Sequence, residues 1–459
     1  MIGERLRSWV LFAGAFLLAA LLLAPTASAA KKPAVLVKDI NPGGKRSSST
    51  GGAAPGSLVF ANVAGTLFFA ATDRKHGNEL WRSDGTRRGT RLVKDIRPGP
   101  RPCAASKRVC RGQGASSNPS ALTAVGRTLY FTAYDPVHGI ELWRSDGTSR
   151  GTRMVKDVLP GNSFNGSGPA GLTDVAGTLF FTVTDPPHAM LWRSDGSAAG
   201  TTLVKDFGQT LGGLTAAGRT LFFVSAGGGL WSSDGTASGT ALIKQTLGPF
   251  QLTDVAGTLF FLAGDGTHFG VWRSDGTTAG TALVKELHGI TNGLTAVGST
   301  LYFISEPDLW RSDGTEPGTI PLINVGPIPE GCCGQEGVFP QIADVRGTLY
   351  VVRNALGGTL LRTDGTPGGT KELRASLRPD FLTAVGKTLY FVGTDKRHGQ
   401  EVWQSNGTRK GTRLVRDIRR GKRSARPQEL TAVGKTLFFS AHDNRHGYEL
   451  WRAGPPTKR

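Results

Sequence analysis

The sequence predicts an all-β fold, a single closed β-propeller of about nine four-stranded blades. Three features carry that reading: a phrase repeated nine times, short strands punctuated by glycine within each copy, and array ends that complement one another. The phrase is Glu79-Leu80-Trp81-Arg82-Ser83-Asp84-Gly85-Thr86, two variable residues, Gly89-Thr90, then Leu92-Val93-Lys94-Asp95-Ile96. Its tryptophan slot returns at Trp143, Trp192, Trp231, Trp272, Trp310, Leu361, Trp403 and Trp451, at spacings of 38 to 62 residues, in the range of blade or solenoid repeats.

Within a unit the punctuation marks four strands. In the second unit they are Leu122 to Val125, Thr128 to Ala133, Glu141 to Arg144 and Arg153 to Val158, separated by Gly126, by a loop holding Asp135 and His138, and by the Asp146-Gly147 turn. Short β-branched and aromatic runs bounded by Gly and Asp read as a meander of hairpins. The second strand, Leu67-Phe68-Phe69 in unit one, is apolar on both faces and must be covered on both, which face-to-face stacking of sheets around an axis achieves. The array opens on a lone fourth strand, Leu36 to Ile40, and finishes with three strands through Glu449-Leu450-Trp451-Arg452. Joining the two completes the last blade and removes exposed strand edges. Unit seven, with Leu361 in the tryptophan slot, is degenerate and leaves eight blades as the alternative count.

Composition agrees. About one fifth of the 459 residues are Gly or Pro and 8% are aromatic, which argues against helix bundles, coiled coils, multi-pass membrane proteins and disorder. Residues 1–30 read as a signal peptide, with Arg5 and Arg7 before the apolar run Val10 to Ala24 and Ala27-Ser28-Ala29 as the cleavage site. The expectation is a secreted or extracytoplasmic protein with a propeller domain over 31–459, membrane-bound only if the signal is retained. The formal charge is +19, or +18 without the signal, which favours anionic partners.

Through Glu79-Leu80-Trp81 with Asp84-Gly85-Thr86 and its counterparts, residues 36 to 452 resemble the bacterial ELWxxDGT-repeat proteins. The resemblance implies an exported repeat protein without a common established activity, so it assigns no site residue.

Candidate sites therefore rest on the residues themselves. The Asp-Gly-Thr turn offers one carboxylate per copy, too few for calcium, and Asn406 replaces it once; a turn-forming role fits better. A second constellation, Asp-x-x-His-Gly-x-Glu, is complete at Asp73/His76/Glu79, Asp135/His138/Glu141, Asp395/His398/Glu401 and Asp443/His446/Glu449, residue types suited to proton transfer or metal ligation as well as to loop hydrogen bonds. These copies occupy units one, two, eight and nine, neighbours in a closed ring. The crossings between these units are basic: Lys45 and Arg46 in 41–57; Arg97, Arg101, Lys107, Arg108 and Arg111 in 97–120; Arg419, Arg420, Lys422, Arg423 and Arg426 in 419–429. The expectation is a basic loop face that binds an anionic glycan, an envelope polymer or an acidic protein. Aromatics confined to strand runs, not interleaved with arginines, argue against specific nucleic-acid binding.

Export permits disulfides among Cys103, Cys110, Cys332 and Cys333; Cys103 and Cys110 bracket one short loop, and four cysteines allow three pairings. No metal or cofactor motif, nucleophile elbow or phosphate loop is present. The preferred reading is a non-catalytic binding propeller at the cell envelope. The alternative is a propeller-fold carbohydrate-active enzyme, a hydrolase or lyase, whose carboxylates would be sought among the non-repeated Glu306, Asp308, Glu316, Glu330 and Glu336.

Overall fold

The computed structural model describes residues 34–42, 60–102, 109–160, 166–289, 291–326, 341–353 and 358–457. They form nine four-stranded antiparallel sheets and one two-stranded ribbon. Each of blades 1 to 8 is a meander in sequence order, the first being Ala61–Val63, Thr66–Asp73, Gly77–Ser83 and Arg91–Lys94. The first strand of each blade packs against the first strands of its two neighbours and lines the axis. Blade 9 takes three strands from Gln428–Val433, Thr436–Asp443 and Gly447–Ala453, and its outermost strand is Val35–Lys38. Val35 pairs with Arg452 and Leu36 with Trp451, so the expected closure is present. Blade 7 is a full sheet despite its weak repeat, and the count is nine.

Strand alternation explains the packing. Phe68 and Leu80 of blade 1 face blade 2, in one cluster with Leu129, Phe131 and Trp143. Leu67, Phe69 and Trp81 face the other way, in a cluster with Phe438 and Leu450 of blade 9. Equivalent clusters fill the other seven interfaces. Between blades 6 and 7, Leu361 fills the tryptophan slot beside Val351 and Ile304, an aliphatic substitute that keeps the layer closed. Fully burying an aromatic side chain stabilises by roughly 2–3 kcal/mol, so the repeated Phe/Trp positions dominate the inter-blade energy.

Polar staples reinforce the interfaces. The Lys that ends the fourth strand reaches the next blade: Lys156 Nζ donates to Thr201 O at 2.8 Å and lies 5.6 Å from the Trp192 ring centre, and Lys38 makes the same contacts with Thr90 O and Trp81. Asp-Gly-Thr closes the third hairpin of a blade. Thr86 N–H and O–H donate to Asp84 Oδ1 at 2.8 and 2.7 Å, Gly89 N–H donates to Thr86 Oγ1, and Ser83 and Thr90 hydroxyls meet at 2.7 Å. Asn406 Oδ1 accepts the same pair from Thr408 without the charge.

Candidate functional site

The Asp-x-x-His-Gly-x-Glu constellation is split by the fold. Its Asp ends the second strand and its His closes the turn to the third: the Nδ1 atoms of His76, His138, His398 and His446 lie 2.7, 3.0, 2.9 and 2.8 Å from Asp73, Asp135, Asp395 and Asp443. The same aspartates accept the His backbone N–H. Burial opposes ionisation of Asp135, Asp395 and Asp443, but hydrogen bonds from the His ring and backbone outweigh it and hold all three carboxyls below their usual range.

The Glu of the constellation points elsewhere. Glu79, Glu141, Glu401 and Glu449 are fully buried and hold the crossing that leaves the blade. Glu79 accepts the N–H of Ile96 (3.1 Å), Arg97 (3.3 Å) and Ser117 (3.0 Å) and the Ser117 hydroxyl (2.5 Å). Glu141 accepts from Val158 and from both Ser167 donors, Glu401 from Arg419 N–H, and Glu449 from Ile40 N–H. Burial pushes Glu79 up to about 7 and Glu401 and Glu449 up to about 8. The glutamate is thus the peg that holds the crossing leaving each of these four blades, of which the one from blade 2 (157–169) contains no Lys or Arg. Blade 3 has Met190 in the glutamate slot, a short crossing, and His188 paired to Asp206 at 2.5 Å.

Crossings and second-to-third-strand turns share one end of the propeller. Asn78 N–H donates to Ser116 Oγ, Gln400 N–H to Ser424 Oγ, and Arg419 Nε to Asn444 Oδ1 at 2.9 Å. Arg97 is pinned there, 4.6 Å over the Tyr134 ring, whereas Arg420, Lys422, Arg423 and Arg426 are exposed. Arg101 and Arg111 lie on the ribbon Pro100–Pro102/Val109–Gly114, which also carries Cys110. Lys45, Arg46, Lys107, Arg108, Cys103, Cys332, Cys333 and residues 1–30 lie outside the described residues.

Counting crossings alone misses further cations. Arg74, Lys75, Lys396, Arg397 and Arg445 sit exposed on the turns beside them. At the opposite end, Arg87 and Arg88 of blade 1, Arg150 of blade 2, and Arg409 and Lys410 of blade 8 are also exposed, on the turns after the third strands. The basic surface is therefore a sector extending over both ends, broader than one loop face. Among the described residues, those of blades 8, 9, 1 and 2 (34–42, 60–102, 109–160 and 380–457) carry a net +15, and those of blades 3 to 7 (166–289, 291–326, 341–353 and 358–379) a net −3.

Of the acids sought for catalysis, Glu306 and Asp308 flank a second-to-third-strand turn of blade 6, while Glu316 lies at the other end of that blade, 3.3 Å from Lys285 Nζ; Glu330 and Glu336 are outside the described residues. Glu316 does not share a site with the other two. Among the described residues, no three His, Cys, Asp or Glu side chains gather as a metal site.

No family model and no curated protein matches the chain. Among solved structures, a puromycin hydrolase is 14% identical, with 86% of this chain aligned to 58% of that one at a TM-score of 0.39. The computationally designed Ika8 protein is 13% identical over 73% of this chain and 96% of its own (TM-score 0.41), and the β-propeller domain of the Trilobed protease from Pyrococcus furiosus is 12% identical over 65% and 97% (TM-score 0.34). The chain thus spans less than two thirds of the hydrolase, and likeness at this level concerns the propeller fold alone.

Proposed function

We propose that this protein is an exported, non-catalytic binding propeller that engages an anionic polymer of the cell envelope through the basic sector of blades 8, 9, 1 and 2. The observation that carries this reading is the segregation of charge among the described residues, +15 against −3, between contiguous arcs of one ring. A field of that polarity raises the local concentration of a polyanion and orients the approach. Exposed Lys and Arg at one end of blades 8, 9 and 1 and at the other end of blades 8, 1 and 2 suit a long flexible chain that follows the wall more than a compact partner that meets one face. The buried glutamates keep the crossings of this sector in place and so fix the spacing of the cations.

The test is binding of the mature protein to heparin and to alginate as polyanion probes, with product analysis of the bound polymer. Neutralising Lys396, Arg397, Arg420, Lys422, Arg423 and Arg426 together is expected to weaken binding at least tenfold in 50 mM salt and to flatten its salt dependence. Unchanged affinity and slope would remove the sector as the binding surface, and cleavage of the polymer would replace binding with catalysis.

A further inference from the structure

The start of the inner strand carries a separate recurring feature. Register slips there between Gly212 and Thr215, Phe250 and Thr253, Asn292 and Thr295, Asp380 and Thr383, and Gln428 and Thr431. The residue at each bulge has positive φ: Gly213 64°, Gln251 52°, Gly293 76°, Phe381 52° and Glu429 57°. Non-glycine residues in that region are uncommon, and their recurrence at one slot marks a built feature. Around it the Leu-Thr-Ala-Val frame barely changes, while the slot itself runs through Ala121, Gly171, Gly213, Gln251, Gly293, Gln341, Phe381 and Glu429. The blade fold does not dictate this position.

Three blades show what the slot accommodates. Gln251 Oε1 accepts the N–H of Leu294 in the next blade at 3.2 Å, Gln341 Oε1 that of Leu382 at 2.8 Å, and the Glu429 carboxyl that of Phe60. An oxygen from one blade thus caps the bulge N–H of the next. Gly213 supplies none to Leu252. Beside this pair lies an open cavity of about 550 Å³ lined by Leu211, Gly213, Val224, Pro249, Phe250 and Leu252. Phe250 stacks on Phe269, with ring centres 6.2 Å apart, yet stays 42% exposed. A Cβ on Gly212 would meet nothing within 4 Å, and one on Gly213 only a Val224 methyl at 3.8 Å, so the floor has room.

We propose that the axial mouth between blades 4 and 5 binds an uncharged amide carried on an apolar body, as in an extended apolar peptide segment: its carbonyl accepts the Leu252 N–H and its apolar group lies on Phe250. An amide fits better than a carboxylate. Two of the three side chains that make this cap are amides, burial weakens the acidity of the third, Glu429, and the described residues of blades 3 to 7 carry a net −3. The backbone amide gives a directional contact and the aromatic face the buried area, the usual division of labour in a small-ligand pocket.

The probe is N-acetyl-phenylalaninamide, followed by saturation-transfer NMR and by the amide shift of Leu252, with 3-phenylpropionate and N-acetylglucosamine as the charged and the polar-bodied comparators. The peptide amide is expected to bind in the millimolar range or tighter, to shift the Leu252 resonance, and to exceed both comparators at least fivefold. Gly213→Gln installs the cap that Gln251 makes and should abolish binding; Phe250→Ala should weaken it at least fivefold with the Leu252 N–H untouched. Gly293→Gln, whose cap falls away from the cavity, should bind like the parent. The proposal fails if the probe does not bind, if either comparator binds as well, or if both Gly213→Gln and Phe250→Ala retain full affinity. Binding here should be insensitive to salt and to neutralisation of the basic sector, which separates its failure from that of the polyanion reading.

Discussion

At the scale of single residues, the buried glutamates are the most exacting element. Ala425 occupies the position that Ser117 and Ser167 hold in blades 1 and 2, and Glu401 Oε2 accordingly has no hydrogen-bond partner. Ala425→Ser should supply a hydroxyl donor and stabilise the protein by about 1 kcal/mol, read as a higher denaturant midpoint at unchanged slope. The pH dependence follows from the raised values of Glu79, Glu401 and Glu449, which keep the folded state protonated where the unfolded chain has ionised. Their contribution is fully present below about pH 4.5 and is lost as pH rises toward 8, because the unfolded state then gains by releasing protons that the fold retains. The denaturation midpoint should fall over that window and level off above it, and Glu401→Gln should remove part of the fall. That the glutamate and the histidine of one constellation serve different structures was hidden in the one-dimensional pattern. His76 sits on a turn, whereas Glu79 sits on a strand two places from Trp81, on the same side of the sheet, and is fully buried.

At the scale of the element, turns and staples set the repeat. Gly151 lies so close to the Asp146 carboxylate that an added Cβ would overlap it. Gly151→Ala should therefore destabilise by roughly 2 kcal/mol, more than helix or strand propensity alone explains, with thermal melting as the readout. Lys156→Met keeps the stem that packs along the strand but removes the bond to Thr201 O and the charge over Trp192, and should cost about 1 kcal/mol. Strand number and order were legible in the sequence because Gly and Asp mark every hairpin and the Leu-Phe-Phe run marks the central strand. The lysine staple and the bulge caps were not, since the staple joins residues 35 to 58 positions apart and the glutamine caps residues 41 and 43 apart, whose proximity exists only once neighbouring blades stack.

At the scale of the whole molecule, closure turns the sequence's two ends into one neighbourhood. Blades 8 and 9 meet blades 1 and 2 only because Val35–Lys38 completes the last sheet, with Ile40 N–H held by Glu449 at 3.1 Å. That joint gathers the described cations of blades 8, 9, 1 and 2 into one sector, and both the complementary ends and the positive crossings were readable beforehand. The turn cations, such as Arg74 and Arg397, gained meaning only from the shared end of the propeller. Disulfide trapping between cysteines introduced at Val35 and Arg452, which face each other in the ladder, tests closure in solution. Oxidation of the monomer should yield an intramolecular peptide linking positions 35 and 452; its absence, or a link formed only between molecules, would contradict the ring and dissolve the basic sector with it.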